Sequence, residues 1–100
     1  MALSVRVHSD TATTSAADFS NTAWYGSVTL TNTSASATLW ARLDGTASVA
    51  LADNNYVIPA GATRTFRNHS APSSVALGTT GTTPLSLIAS ASCTFTVEFN

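Results

Sequence analysis

Apolar and polar side chains alternate with a period of two along most of this chain. The last run is the clearest, because every second residue from Cys93 to Phe99 is apolar and the residues between them are Thr or Glu. Successive side chains of a strand point to opposite faces, so this pattern predicts strands with one buried face. No segment of 11 or more residues keeps a helical period, which predicts little or no helix. Four further runs alternate in the same way: 3–8, 24–31, 38–43 and 85–90.

Turn-forming residues separate these runs. Asp44-Gly45 follows one strand, Pro59-Ala60-Gly61 lies between two others, and residues 32–36 have the length of a hairpin loop. Gly supplies the positive φ that tight turns need, and Pro presets its own φ. About seven to eight short strands at this spacing predict an all-β fold, an antiparallel β-sandwich with a jelly-roll or immunoglobulin-like topology as the candidates.

A chain of 100 residues is expected to form one domain, residues 1–100. Within it, residues 9–22 are small and polar, with Phe19 as the one large apolar side chain. We therefore expect residues 1–22 to form an extended N-terminal arm or a long loop, and an arm that reaches a neighbouring molecule is one hypothesis. Residues 78–84 have no apolar residue suited to a core and predict a second loop.

The amino-acid composition of the chain excludes several classes of function. Only 9% of the residues are charged, Lys is absent, and the net charge is −1, whereas nearly half of the chain consists of 17 Thr, 17 Ala and 14 Ser. Nucleic-acid binding needs a basic patch, so we expect no nucleic-acid partner. The apolar runs are far shorter than a membrane span, and the first residues do not resemble a secretory signal, so we expect no membrane association.

Candidate catalytic residues are missing from the pattern. His8-Ser9-Asp10 contains the three residue types of a hydrolase triad, but Ser9 would point away from His8 in a strand. No Cys and His spacing matches a zinc site, and Asp53-Asn54-Asn55 lacks the remainder of a calcium loop. We therefore expect no enzyme, with no catalytic, metal-binding or cofactor-binding residues and no cofactor.

Aromatic and Arg side chains on polar faces are the candidate interface residues. If Leu39 and Ala41 face the core, Trp40 and Arg42 face outward, and Trp with Arg is a pair enriched at interface hot spots. The alternatives are a buried Trp40, or a sugar-stacking platform. Arg64 and Phe66 share a face of their strand, which could equally be a solvated surface. The complete candidate set is Trp24, Tyr25, Trp40, Arg42, Arg64 and Phe66.

Several motifs together resemble a family of small β-sandwich virion proteins from tailed bacteriophages. The shared order begins with a strand ending in Thr31-Asn32-Thr33-Ser34 and a following strand with small side chains. It continues with the Ile58-Pro59-Ala60-Gly61 turn and closes with a hairpin of the form Ser-Leu-Ile-Ala-Ser, Thr-Val-Glu. The resemblance covers residues from about 24 to 99 and does not extend to residues 9–22.

The resemblance implies a non-enzymatic capsid decoration or cement protein. Such a protein is made in the cytoplasm of the bacterial host and binds the major capsid protein on the outer face of the head, as a homo-oligomer, with a trimer favoured. Its location would be the virion. The alternative is a head-fibre, tail-associated or glycan-binding host-recognition module. A hydroxyl-rich surface also lacks the charges that keep sheet edges apart, so we expect contacts with other copies or a shell to cover the edges.

Overall fold

The structure is a computed structural model that describes residues 3–23, 25–43, 46–48, 55–67 and 83–100. Within these ranges it contains strands and no helix, so none of the described segments is a helix that could cross a membrane. The eight strands are β1 (Val7–Ala12), β2 (Ala17–Asp18), β3 (Ser27–Asn32), β4 (Leu39–Arg42), β5 (Tyr56–Ile58), β6 (Thr63–Arg67), β7 (Ser86–Ala89) and β8 (Cys93–Phe99).

The strands form two antiparallel sheets of four strands each. The first sheet has the order β1-β8-β3-β6, and the second has the order β2-β7-β4-β5. Neighbouring strands are mostly distant in sequence, as when β1 pairs with β8 along six residues. These findings confirm the predicted all-β fold and are consistent with a small β-sandwich.

The core lies between the two sheets. The strand β8 shows that the apolar residues of an alternating run are the ones that point into this core. Cys93, Phe95, Val97 and Phe99 are buried, whereas the residues between them are exposed or half-buried. Phe95 meets the ring of Phe19 edge-on, with centroids 5.0 Å apart. The same phase holds in β3 and β4, so the period-two pattern identifies the inward face of the central strands. The other large, fully buried apolar side chains are Val28, Leu30, Leu39, Ile58, Leu85 and Leu87.

The N-terminal segment is part of the sandwich. Residues 9–22 were expected to lie in an arm or a long loop, but β1 and β2 fall largely within them, and Phe19 is buried in the core. Leu3 also joins the core and accepts a backbone hydrogen bond from Thr22. Polar residues can form these strands because β1 and β2 are edge strands with little buried area, so backbone pairing places them rather than apolar alternation.

The phase of the first strand also differs from the sequence expectation. Leu3, Val5 and Val7 alternate as one apolar face, but the chain bends at residues 5–6 and β1 begins at Val7. Its register with β8 sets Val7 opposite the exposed Glu98 and sets His8 opposite the buried Val97. Residues opposite each other share a face, so Val7 points outward and His8 lies on the inward side.

Two buried polar residues, Asn21 and Thr83, connect the N-terminal segment to the rest of the fold. Their backbones exchange hydrogen bonds of 2.9 and 2.8 Å. The Thr83 hydroxyl also donates to the carbonyl of Ala23 and accepts from the backbone N–H of Tyr25. Thr83 belongs to the expected loop 78–84, of which residues 78–82 lie outside the described residues. A polar side chain becomes a core residue here because each of its hydrogen-bonding groups has a partner.

A third buried polar residue, Asn32, connects the end of β3 to two turns. Its amide nitrogen donates to the carbonyl oxygens of Ala37 and Ile58, each at 2.9 Å. Its amide oxygen accepts from the backbone N–H of Ser34 at 2.9 Å and from the Cys93 thiol at 3.2 Å. The side chain is fully buried. Asn32 therefore holds together the hairpin after β3, the end of β5 and the start of β8.

The turn between β5 and β6 requires a glycine. Gly61 has φ of 76°, and the backbone N–H of Ala62 donates to the carbonyl of Pro59 at 3.0 Å. A positive φ at the third residue of a hydrogen-bonded turn is typical of type II. We expect Gly61→Ala to lower the free energy of unfolding by about 1 kcal/mol, because an L side chain is strained in this region.

Urea unfolding of the Gly61 variant tests this turn, with Gly26→Ala as the matched control. A Cβ at either glycine meets no atom within 4 Å, but only Gly61 has a positive φ. The urea concentration at the unfolding midpoint of the control is therefore expected to equal that of the parent or to lie slightly above it. The reason is that Ala reduces the conformational freedom of the unfolded chain. An equal loss of stability in both variants would show that the positive φ of Gly61 is not the cause.

Candidate interaction faces

On the edge strands of the first sheet, polar and charged side chains lie on the side that faces the second sheet. On the edge strand β1, His8 and Asp10 sit opposite the buried Val97 and Phe95, and the His8 Nε2 lies 3.1 Å from an Asp10 carboxylate oxygen. The backbone N–H of Thr11 and the neighbouring His8 side chain lower the pKa of Asp10. Inward-pointing charges on an edge strand discourage pairing with another chain.

The opposite edge strand, β6, uses an arginine in the same way. Arg64 sits opposite the buried Leu30, so it lies on the inward side, and its guanidinium carbon is 5.0 Å from the centroid of the Tyr56 ring. Tyr56 belongs to the edge strand β5 of the second sheet, so this cation–π contact crosses the open side of the sandwich. Arg64 is thus an edge residue, away from the outer faces. The side chain of Phe66, predicted to share its face, lies outside the described residues.

The edge strands therefore carry charged side chains, although the low overall charge led us to expect that they would not. Asp10, Asp18, Arg64 and Arg67 all belong to edge strands of the two sheets. Few charges are needed when they are concentrated at these strands, because edge-to-edge pairing is the association that they must prevent. These charges disfavour edge-to-edge pairing, so the two outer faces are the candidate surfaces for contact with another molecule.

The outer face of the first sheet is an array of hydroxyl groups, which we call the hydroxyl face. The residues of β1, β8, β3 and β6 that alternate with the core residues are almost all Ser or Thr, and they lie in register across the sheet. Four pairs join neighbouring chain segments through side-chain hydrogen bonds of 2.9 to 3.1 Å: Ser9–Thr96, Thr29–Thr65, Thr31–Thr63 and Thr33–Thr94.

Three other residues border or interrupt the hydroxyl face. Glu98 on β8 is in register with Thr29 and Val7, and it is exposed. Arg67 on β6 is in register with Ser27 and is also exposed. Val7 is 56% exposed. The described part of the hydroxyl face therefore carries one acid, one base and one exposed apolar side chain.

The outer face of the second sheet is different, and we call it the aromatic face. Trp40 on β4 is in register with Val57 on one side and with Ile88 on the other. Val57 is 38% exposed. Ile88 is only 7% exposed, although it is outside the core cluster. Arg42 follows on the same face, in register with Ser86.

The predicted interface residues are therefore divided by the structure. Leu39 and Ala41 are buried and Trp40 and Arg42 are half-buried, so the last two face outward as the alternation predicts. Tyr25 lies elsewhere, against Phe99 at a centroid distance of 5.7 Å. Trp24 lies outside the described residues. The sequence did not identify Val57 and Ile88 as neighbours of Trp40, because strand register is needed to place them.

Groups associated with catalysis are not assembled in the described part of the chain. His8 and Asp10 share a face, but the Ser9 hydroxyl points to the other side of β1 and pairs with Thr96. No group of three or more His, Cys, Asp or Glu side chains in the described ranges could hold a metal ion. Cys93 is buried, and burial raises the pKa of its thiol.

Comparison with known proteins returned no relative. The chain matches no protein-family model, no curated protein and no solved structure.

Proposed function

We propose that this chain is a non-enzymatic structural protein of a tailed-bacteriophage virion that decorates the outer capsid shell. The aromatic face is the surface that binds the major capsid protein. The observation that carries this proposal is the row formed by the half-buried Trp40 and the exposed Val57, with Arg42 on the same outer face of a paired sheet. Trp and Arg are the residues most often found at interface hot spots.

The position of this row suits a docking surface. Trp40 lies on β4, which is hydrogen-bonded to strands on both sides, so its backbone is held in place before binding. A preorganised contact loses less conformational entropy on association than a loop does. The inward charges at the edges of the first sheet oppose association there, which leaves the outer faces for binding.

A decoration role also suits the small size of the surface. One sheet of short strands offers a modest contact area, and such contacts are weak when they act alone. A shell presents many identical sites, and linked or oligomeric copies bind it with an avidity that exceeds the affinity of each contact. The resemblance of residues 24–99 to phage virion proteins supports this setting, and the homo-oligomeric state belongs to the same proposal.

Binding to assembled heads tests the proposal. The labelled protein is mixed with heads of the phage that encodes it, and the bound fraction is measured by co-sedimentation. We expect Trp40→Ala to weaken binding about 30-fold, as for a hot-spot residue. Arg42→Ala is compared with Arg6→Ala, which removes an Arg that lies over the Tyr25 ring away from the aromatic face.

Circular dichroism shows whether each variant remains folded, and Trp40→Phe supplies a milder change if the alanine variant does not. Wild-type protein that does not bind heads, or that binds equally well with and without Trp40, would overturn the proposal. Cryo-electron microscopy of decorated heads then locates the contacting face.

A host-recognition module that binds glycans is the second candidate. A half-buried Trp40 beside the polar Arg42 and Ser86 also resembles a platform on which a sugar ring could stack. The Trp40 fluorescence of a Trp24→Phe variant, measured against a panel of host surface glycans, distinguishes the two. Quenching by a glycan together with no head binding would favour the recognition module.

A further inference from the structure

We propose that the hydroxyl face pairs with the hydroxyl face of a second copy of this chain, related by a two-fold axis. In this pairing Glu98 of each copy meets Arg67 of the other. The pairing uses the sheet opposite the aromatic face, so it is separate from capsid attachment. It makes the homo-oligomer a dimer, in place of the trimer that the family resemblance implies.

The strand register separates Glu98 and Arg67 on one copy. They lie on β8 and β6, which have β3 between them, and they are one two-residue step apart along the strands. Strand spacings of about 4.8 Å and a rise of about 3.4 Å per residue place their backbones roughly 12 Å apart. No ion pair joins either of them to another described residue.

A two-fold axis between two copies sets each Glu98 opposite the Arg67 of the other copy. The midpoint between Glu98 and Arg67 falls on β3, between Ser27 and Thr29. An axis that lies in the interface above this point, parallel to the sheet and perpendicular to the line joining Glu98 and Arg67, exchanges the two positions between facing copies. Each acid is then set against a base of the second copy, and one type of contact occurs twice, as in other isologous interfaces. A partner with a uniform charge would satisfy only one of the two groups.

The hydroxyl face is also preorganised for a flat partner. Its Thr and Ser side chains are short, and the hydrogen bonds within pairs such as Thr29–Thr65 already restrict their rotamers. Little side-chain entropy is therefore lost when the face is covered. Val7, which is 56% exposed beside Glu98, adds apolar area at the border of the face.

The area of the face sets the strength of the pairing. Four strands about 4.8 Å apart and about six residues long give roughly 400 Å² for each copy. Stable interfaces bury about 800 Å² for each partner, so we expect a reversible dimer. Such a dimer is populated at high local concentration, as when many copies are held on one shell.

Sedimentation equilibrium of the full chain between about 10 µM and 1 mM measures this association. We expect a monomer–dimer equilibrium, and we expect Glu98→Arg and Arg67→Glu each to raise the dissociation constant about tenfold, because each places like charges together twice. The double variant Glu98→Arg with Arg67→Glu restores the pairs in reverse and is expected to return within about threefold of wild type. Ser36→Glu, which adds a charge on the exposed hairpin outside the face, is the control and is expected to leave the constant unchanged.

The outcomes separate this pairing from other arrangements. A chain that stays monomeric up to 1 mM, a trimer as implied by the family resemblance, or a double variant as weak as the single variants would each overturn it. Thermal unfolding of every variant shows that a loss of dimer is not a loss of fold. Head binding by the Glu98 and Arg67 variants is measured separately, so failure of the pairing and failure of capsid attachment give different results.

Discussion

Phe95→Ala is expected to lower the free energy of unfolding by about 4 kcal/mol, because it removes a fully buried aromatic ring and leaves a cavity. Phe95 is 1% exposed at the centre of β8, which pairs with both β1 and β3. Its ring contacts Phe19 edge-on, so the variant also loses the contact that anchors the segment between β2 and β3. A domain of this size has a total stability of about 5–15 kcal/mol, so much of the margin is lost.

Thermal or urea unfolding measures this loss, and Val57→Ala is the control. Val57 also lies on a strand, but it is on the outer face and 38% exposed, so we expect its substitution to cost less than about 1 kcal/mol. A fall in melting temperature of 15 °C or more corresponds to about 4 kcal/mol for a domain of 100 residues. A loss below about 1.5 kcal/mol for Phe95→Ala would contradict its place at the centre of the core.

Asn32→Ala is expected to cost about 3 kcal/mol, although it changes a polar residue. The variant leaves the buried carbonyls of Ala37 and Ile58 without their donor and the N–H of Ser34 without its acceptor. Each buried polar group that loses its partner costs about 1–3 kcal/mol. The loss extends over two turns and the start of β8, because one side chain serves all of them.

Chemical unfolding of Asn32→Ala and Asn32→Asp, with Asn100→Ala as an exposed control, separates hydrogen bonding from packing. Asp has almost the same volume as Asn but directs an oxygen instead of a donor at the two carbonyls, so we expect it to destabilise the fold as well. If the Asp variant were as stable as wild type while the Ala variant was not, packing alone would explain the effect. Asn100→Ala is expected to stay within about 0.5 kcal/mol of wild type.

The two outer faces suggest how so few charges suffice on this chain. Four of the charges lie on edge strands, and two of these, Asp10 and Arg64, lie on the inward side of β1 and β6. Hydroxyl groups cover one outer face, and Trp40 and Arg42 lie on the other. In the proposed virion setting, one face would bind the shell and the other would meet a second copy. The low charge would then serve close packing between neighbours.

The alternating pattern was sufficient to predict the class of fold and the inward face of the central strands. Burial of Cys93, Phe95, Val97 and Phe99 follows from a period of two, because neighbouring side chains of a strand must point to opposite faces. The outward direction of Trp40 and Arg42 follows from the same rule applied to β4. These features depend only on local geometry, which the sequence contains.

The two N-terminal edge strands, β1 and β2, could not be predicted in this way. Edge residues are partly exposed on both faces, so β1 and β2 show little alternation and were expected to form a loop or an arm. The burial of Asn21, Asn32 and Thr83 gave no sequence signal either. It depends on distant partners: Thr83 donates to Ala23, 60 positions away, and Asn32 accepts from Cys93, 61 positions away. A polar residue is stable in a core only when the fold brings those partners to it.

The sequence by itself determined that this chain forms β-strands, which of their faces turn inward, and that its surface is hydroxyl-rich and nearly uncharged. Only the tertiary structure decided which strands are neighbours. That pairing put Ile88 and Val57 beside Trp40, Arg64 over Tyr56, and Glu98 two strands from Arg67. The physical reason is that register joins residues far apart in sequence through backbone hydrogen bonds, which any residue except proline can both donate and accept, so the side-chain pattern alone does not specify it.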